Sequence, residues 1–264
     1  MEDERYTLYC CGSRGSYPVS SEKQFEYGGW TSCYVLKKGT YAIVIDCGTG
    51  LMNAKPLLLD CKKIDVLLTH VHYDHILGLV VPRLFPADAE VRLYGNFTAW
   101  FGDCSTDRFF ERPFWPVTPE LGTFVDVPAW GEPIVLTDEM HMTFYPCTHA
   151  GDSSIVLLSF AGKRICIGFD CEHNVELPHE AVNGCDILLY DGSYADEEYA
   201  RYAGWGHSTW QEGCRLAQEA QVKQLIITHH SPERTDAELN EREIMAKELF
   251  PATIFARAGA SWQL

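Results

Sequence analysis

The chain has 264 residues, 46% of them hydrophobic, and its 37 acidic and 21 basic side chains give a formal net charge of −16. This composition excludes a disordered chain and predicts a single globular domain spanning residues 1–264. The excess negative charge repels polyanions, so a long nucleic acid and an anionic membrane surface are not expected as partners.

The remaining bulk features concern the compartment. Apolar runs stay below the roughly 18 residues of a membrane-spanning helix, and the acidic start Met1–Glu4 is unlike a signal peptide. The 11 cysteines form no C-x-x-C pair. We therefore expect a reduced, cytoplasmic protein whose partner is a small-molecule substrate, and the sequence also allows a homodimer.

The first third of the chain predicts a strand, a loop, a hairpin and a helix. Residues 6–11 form the strand, and the strands 31–36 and 41–45 pair across a Lys-Gly turn. The glycine-punctuated loop 12–18 suits a phosphate cradle or a flexible connector equally. Asp46 ends the hairpin, where it would cap the helix predicted over 51–61.

The segment after the next strand, 64–68, carries four metal-ligand side chains within six residues: His70, His72, Asp74 and His75. Residues two apart on an extended backbone face the same side, which places the first two histidines together. A turn into a helix predicted over 76–84 would bring the other two side chains back to that point. Metal coordination is the usual physical reason for such crowding, so we predict a metal site here.

These residues resemble the H-x-H-x-D-H signature of the metallo-β-lactamase superfamily. The resemblance implies the α/β class, an αββα four-layer sandwich (the metallo-β-lactamase fold), and a hydrolytic site of one or two metals on one edge. It also implies that Asp46 orients this site through hydrogen bonds without binding metal.

Further strands are predicted at 91–94, 140–145, 154–160, 164–169, 186–190 and 225–228. Helices are predicted up to Ala220, with either Ser208 or Thr209 as the N-cap, and from Thr235 to Phe250. A short strand is expected near Ile254. The aromatic-rich insert at about 97–133 has no regular period. It is interpreted as a lid over the site, or as a loop-rich insert pinned by its own aromatic cluster.

Three more ligand-type residues follow predicted strands: His149, Asp170 and His229. By resemblance, His70, His72 and His149 hold one divalent ion, Asp74, His75 and His229 hold a second, and Asp170 bridges them. Zn²⁺ is the first expectation for both ions, with Mn²⁺ or Fe as alternatives.

The segments Gly206–Thr209 and Thr228–Ser231 resemble the H-S-T and T-H-x-S motifs of the ribonuclease Z-like and class II cyclic-nucleotide phosphodiesterase-like branch. The resemblance makes Asp74 and His207 the catalytic residues, the latter assisting proton transfer, although a helix-capping histidine is the alternative for His207. Backbone alternation lets only one of His229 and His230 face the metals, and the T-H-x-S resemblance favours His229. Roles beside the ligands or against the substrate are then predicted for three more side chains: His230, His173 and Arg14.

The chain departs from that branch at Asp191–Tyr194, which stands where those enzymes carry an H-E-A-T-type segment. A basic, glycine-rich arm is also missing. The predicted function is a dinuclear hydrolase that uses a metal-bridging hydroxide on a small phosphodiester such as a cyclic nucleotide. Hydrolysis of a lactone, thioester or lactam is the alternative, and a non-catalytic metal-binding or sensory module is a further one.

Overall fold

The computed structural model describes residues 5–81, 83–102, 115–116, 119–127, 130–173 and 177–264. The chain forms two compact units. The first consists of Met1–Ser13, Trp30–Val127 and Arg257–Leu264, and the second of Arg14–Gly29 and Pro128–Ala256. Each unit is built around its own seven-stranded mixed sheet.

The sheet of the first unit has the strand order β14-β1-β2-β3-β4-β5-β6. Its strands are β1 (Thr7–Gly12), β2 (Cys33–Lys38), β3 (Tyr41–Ile45), β4 (Lys63–Leu67), β5 (Glu90–Gly95), β6 (Thr123–Asp126) and β14 (Ser261–Gln263). The pairings from β14 to β3 are antiparallel, and those from β3 to β6 are parallel. The parallel strands therefore end at one edge, in register, with Ile45 opposite Leu67.

The described residues of this unit form three α-helices: α1 (Leu51–Leu58), α2 (Tyr73–Ile76) and α3 (Phe97–Phe101). The helix predicted over 76–84 is wrong in its bounds, because α2 begins earlier and passes into a 3-10 turn at Leu77–Val80. Gly78 is the reason, since it is a poor helix former and its amide donates to the carbonyl of Cys47 at 2.8 Å.

The sheet of the second unit has the order β13-β12-β11-β10-β9-β8-β7. Its strands are β7 (Ile134–Thr137), β8 (Met140–Cys147), β9 (Ser153–Phe160), β10 (Lys163–Gly168), β11 (Ile187–Asp191), β12 (Leu225–Thr228) and β13 (Thr253–Phe255). The pairings from β7 to β10 are antiparallel, and those from β10 to β13 are parallel. This unit thus repeats the pattern of the first, with parallel strands that end together.

The helices of this unit are α4 (His179–Val182), α5 (Asp196–Tyr199), α6 (Trp210–Glu219) and α7 (Asp236–Leu249). The hydroxyl of Thr209 accepts from the amide of Glu212 at 3.1 Å, so Thr209, and not Ser208, is the N-cap of α6. Thr235 and Glu238 form a reciprocal capping box at the start of α7. Local sequence chemistry thus fixes where both long helices begin.

The aromatic-rich insert is only partly within the described residues. Phe97 is fully buried, and its ring centroid lies 5.6 Å from that of Trp100 and 5.0 Å from that of Phe124. Phe97 belongs to the hydrophobic core cluster of the first unit, and Trp100 and Phe124 pack against that cluster. Residues 103–114, which include three more of the predicted aromatics, lie outside the described residues.

Ten cysteines among the described residues are free and buried. Burial raises the pKa of the Cys10 thiol to about 12 and that of the Cys47 thiol well above its ordinary range. Such thiols stay protonated at neutral pH and behave as small hydrophobic side chains. Across the residues that the structure covers, no helix is both long and apolar enough for a membrane span.

Arg14 is the first residue of the segment Arg14–Gly29 of the second unit, and its side chain is fully buried. Its guanidinium donates to the carbonyls of Gly28 at 2.8 Å and Arg234 at 2.8 Å, and it lies 3.7 Å from the carboxylate of Asp236. These contacts tie the segment to the start of α7. The predicted substrate-facing role of Arg14 is therefore replaced by a structural one, because its Nε and Nη1 donate to the protein's own backbone and its Nη2 faces Asp236.

We expect Arg14→Lys to lower the free energy of unfolding by about 2 kcal/mol, because an ammonium cannot reproduce the planar fork that meets several carbonyls. Urea denaturation followed by circular dichroism measures the change. Arg201→Lys, on an exposed arginine, is the matched control and should shift the free energy by less than about 0.5 kcal/mol. Identical midpoints for the two variants would refute the structural role.

Candidate metal and catalytic site

In the first unit the carboxylate of Asp46 organises the ligand-type residues. It lies directly after β3 and is fully buried. One oxygen accepts from the amide of Thr69 at 2.8 Å, and the other accepts from the Thr69 hydroxyl at 2.8 Å and lies 2.7 Å from Nδ1 of His75. This carboxylate joins the end of β3 to the residues that follow β4.

Those residues place three imidazoles side by side. The ring centroid of His70 lies 4.6 Å from that of His72 and 4.2 Å from that of His75. Nδ1 of His70 lies 3.1 Å from the Thr69 hydroxyl, and Nε2 of His75 lies 3.4 Å from a carboxylate oxygen of Asp74. The first unit thus gathers all four residues of the predicted motif.

In the second unit two histidines approach one carboxylate from opposite oxygens. Nε2 of His229 lies 3.0 Å from Oδ1 of Asp170, and Nε2 of His149 lies 3.6 Å from Oδ2. All three side chains are at most 2% exposed. A buried carboxylate with an imidazole at each oxygen is suited to binding cations.

Each of these histidines is held through its other nitrogen. Nδ1 of His149 donates to the carbonyl of Gly206 at 2.7 Å. Nδ1 of His229 lies 3.0 Å from the Ser193 hydroxyl, which itself lies 2.7 Å from Asp191. As with His75 and Asp46, the protein engages Nδ1 and directs Nε2 toward a carboxylate, which is the usual arrangement of metal-binding histidines.

The backbone is strained at three of these positions. Asp46, Asp170 and His229 have φ values of 54°, 45° and 55°, in the left-handed region that non-glycine residues rarely adopt. Asp46 follows β3, His229 follows β12, and Asp170 lies two residues beyond β10. This conformation turns each side chain sharply at the end of a strand, and such strain is concentrated at functional sites.

Two glycines make room for the imidazoles of the second unit. A Cβ on Gly15 would lie 2.2 Å from a ring atom of His229, and one on Gly206 would lie 2.1 Å from Nδ1 of His149. Gly206 also has a φ of 85°. Both backbones therefore pack directly against a ligand-type ring, which only glycine permits.

The imidazole of His207 pairs with the carboxylate of Asp191. The sequence predicted a catalytic role for His207 but did not predict this partner. Nδ1 of His207 lies 2.8 Å from Oδ2 of Asp191, a fully buried carboxylate whose Oδ1 accepts from the amide of Ser193 at 2.9 Å. One ligand-type atom from each of Asp170, Asp191, His207 and His229 lies within 4.8 Å of the others.

The roles of Asp191 and Ser193 were missed because the departure from the H-E-A-T-type segment was interpreted as a loss. The signal was present, since a carboxylate and a hydroxyl remain at the end of β11. Thr69 was also missed, because the side chain before the first motif histidine carries no metal-ligand group.

Two other predicted residues contact the protein itself. Nε2 of His230 donates to the carbonyl of Ala256 at 2.9 Å, and its ring packs against Phe255 and Tyr27. With a fully buried side chain, His230 does not face a substrate, which corrects the prediction of that role. His173 is half-buried, and its ring lies 4.3 Å from that of Tyr199.

The donor chemistry of both units fits divalent metal ions. Imidazole nitrogens and carboxylate oxygens are the ligands that Zn²⁺, Mn²⁺ and Fe²⁺ share. The hydrogen bonds at Nδ1 of His75 and His149 fix the ring orientations before any ion binds.

Comparison with known proteins identifies the family. The model of the beta-lactamase superfamily domain matches residues 41–230. A ribonuclease Z of Gemmatimonas aurantiaca is 32% identical and covers 84% of this chain and 86% of its own. The mitochondrial ribonuclease Z 2 of Schizosaccharomyces pombe is 26% identical over 100% of this chain, which spans only 39% of that relative.

A solved structure agrees with this result. The metallo-β-lactamase fold protein YhfI of Bacillus subtilis superposes with a TM-score of 0.75 over 98% of this chain and 100% of its own, at 17% identity. The predicted α/β class and metallo-β-lactamase fold are therefore confirmed, as is a metal-dependent hydrolase.

The prediction that a long nucleic acid is not a partner is wrong, because the matched relatives are ribonucleases. The net charge of −16 is a sum over the whole chain. Phosphate binding depends on the local potential, which bound cations would reverse at their own site.

The matched domain covers most of the chain, including the His-rich motif at residues 70–75, the H-S-T segment and the last strand-end histidine, His229. The chain is a member of the metallo-β-lactamase superfamily and belongs to its ribonuclease Z-like branch.

Proposed function

We propose that this protein is a dinuclear metal-dependent phosphodiesterase that cleaves RNA. The observation that carries the proposal is the Asp191–His207 pair, held 2.8 Å apart beside Asp170 and His229. Hydrolysis of a phosphodiester needs a proton donor for the leaving oxygen, and an imidazole fixed by a buried carboxylate suits that role.

The proposed ligands follow the family resemblance. One ion would be held by His70, His72 and His149, a second by Asp74, His75 and His229, with Asp170 shared between them. When bound, the two cations supply a water whose pKa is lowered to about 7 and positive charge for the phosphate oxygens. Zn²⁺ is the proposed metal, with Mn²⁺ and Fe as alternatives.

The chain's own residues then orient and move protons. Asp191 engages Nδ1 of His207, so Nε2 is the nitrogen that would carry a proton to the leaving oxygen. Because the Asp191 carboxylate also accepts from the amide and hydroxyl of Ser193, it stabilises the imidazolium without itself needing to take the proton. Asp74 would act as a ligand that positions the reacting water.

RNA is favoured over the cyclic nucleotide expected from the sequence, because both relatives reported above are ribonucleases and one matches over most of both chains. Hydrolysis of a lactone or thioester is the second candidate, since the same metal-bound ligand set would serve it. The two differ in their need for His207: an alkoxide leaving from phosphorus requires protonation more than the opening of an activated carbonyl compound does.

We expect Asp46→Asn to weaken metal affinity about 10- to 100-fold, because both carboxylate oxygens accept hydrogen bonds and the amide nitrogen that replaces one of them cannot accept. Competition against a chromophoric chelator, with metal content by mass spectrometry, measures the change. Asp88→Asn is the control, on an exposed carboxylate paired with Lys62. Unchanged metal affinity in the Asp46 variant would contradict the proposal that Asp46 orients the metal-binding residues.

We expect His207→Ala to lower kcat for a labelled oligoribonucleotide about 100- to 1,000-fold while metal content stays at the wild-type level. The exposed histidine of the control His179→Ala should leave kcat unchanged. Assays on a cyclic nucleotide, a lactone and a thioester complete the comparison. Equal losses on phosphodiester and carbonyl substrates, or no loss on either, would contradict the assignment.

A further inference from the structure

A series of aromatic rings runs from the catalytic pair to the surface of the second unit. The ring of His207 lies 4.9 Å from that of His229 on one side and 6.0 Å from that of Tyr194 on the other. Tyr194 stacks face to face on Tyr202, with centroids 4.0 Å apart and an interplanar angle of 3°. Tyr202 meets Trp205 edge to face at 5.5 Å.

Exposure increases from Tyr194 to Trp205. Tyr194 is 8% exposed, Tyr202 is half-buried, and Trp205 is 61% exposed. An indole that only filled space would be buried, since burying a large aromatic side chain is a main source of stability. Trp205 instead packs against Tyr202 and leaves much of its ring exposed to solvent.

The loop that carries Trp205 is held in place by Glu172. Its carboxylate accepts from the amide of Gly206 at 2.8 Å, from the amide of Gly204 at 3.2 Å and from the hydroxyl of Tyr199. The amide of Trp205 also donates to the carbonyl of Tyr202 at 3.0 Å. The exposed ring is thus presented by an ordered backbone, which lowers the entropic cost of using it for binding.

The same loop is tied to the site. Gly206, whose amide is held by Glu172, uses its carbonyl to orient His149. A ring stacked on this loop is therefore fixed in position relative to the residues proposed to hold metal.

We propose that Trp205, supported by Tyr202 and Tyr194, is a stacking platform for a nucleobase that flanks the scissile phosphodiester. Flat aromatic faces bind unpaired bases by stacking without reading their sequence, as in other single-strand-binding proteins. The occupant would be a single-stranded nucleotide of the RNA, and this inference rests on the proposed function. It adds a substrate-binding residue to the reaction.

The first test is steady-state kinetics on an oligoribonucleotide. Trp205→Ala should raise KM about tenfold with little change in kcat, as loss of one stacked base predicts. Trp205→Phe should restore most of the affinity, and Trp262→Phe, on the edge strand β14, should match the wild type. On RNA made abasic at the stacked position, wild-type and Trp205→Ala enzymes should have the same KM.

The second test does not depend on cleavage. Titration of the metal-loaded protein with adenosine 5′-monophosphate should quench tryptophan fluorescence in the wild type and in Trp262→Phe, and much less in Trp205→Phe. Ribose 5-phosphate, which lacks the base, should quench none of them.

The outcomes separate the two proposals. A wild-type protein that fails to cut RNA overturns the proposed function, while the nucleotide titration still decides whether Trp205 binds a base. Normal RNA cleavage with an unchanged KM in Trp205→Ala, or equal quenching in Trp205→Phe, overturns the platform and leaves the proposed function standing.

Discussion

The candidate site depends on the orientation and tautomer of its buried imidazoles. In a neutral imidazole one nitrogen carries a proton, and only the other can bind a metal ion. In this protein the choice is made by the surroundings. A carboxylate faces Nδ1 of His75, a backbone carbonyl accepts from Nδ1 of His149, and a hydroxyl meets Nδ1 of His229. Three different acceptors thus achieve the same result, which is an Nε2 directed at a carboxylate.

The two units reach this arrangement with the same architecture. Both sheets change from antiparallel to parallel pairing at a central strand, and the ligand-type residues follow strands that end near that change. Carboxyl ends of parallel strands are where polar side chains can leave the sheet together without disrupting its hydrogen bonds. The strained residues Asp46 and His229 occupy equivalent positions in this sense, since each directly follows a parallel strand.

Much of this organisation could be predicted from the sequence, because apolar strands followed at once by histidine or aspartate give a strong local signal. Two helix starts were predicted for the same reason, since capping is a local effect: the structure selects Thr209 from the predicted pair Ser208 and Thr209, and the second helix is capped by Thr235. The bounds of α2 were wrong because Gly78 is held by a residue far along the chain.

Roles that depend on distant partners were the ones that the sequence could not supply. Arg14 lies in a glycine-punctuated loop that suggested contact with a substrate, yet two of the carbonyls that accept from it, those of Ser231 and Arg234, are more than 200 residues away along the chain. The role of Asp191 became apparent only in the structure, from its contact with His207. The net charge led to the wrong prediction about nucleic acid, because a sum over 264 residues says little about the electrostatic potential at one edge of a sheet.

The close approach of Gly15 and Gly206 to the rings of His229 and His149 has a consequence for protein engineering. If only the ligand-type side chains were transplanted onto another scaffold, a residue other than glycine in the neighbouring loops would place its Cβ where these rings must lie. A successful graft would have to carry both glycine loops along with the histidines, so the smallest portable version of this centre is a set of loop-and-ring pairs.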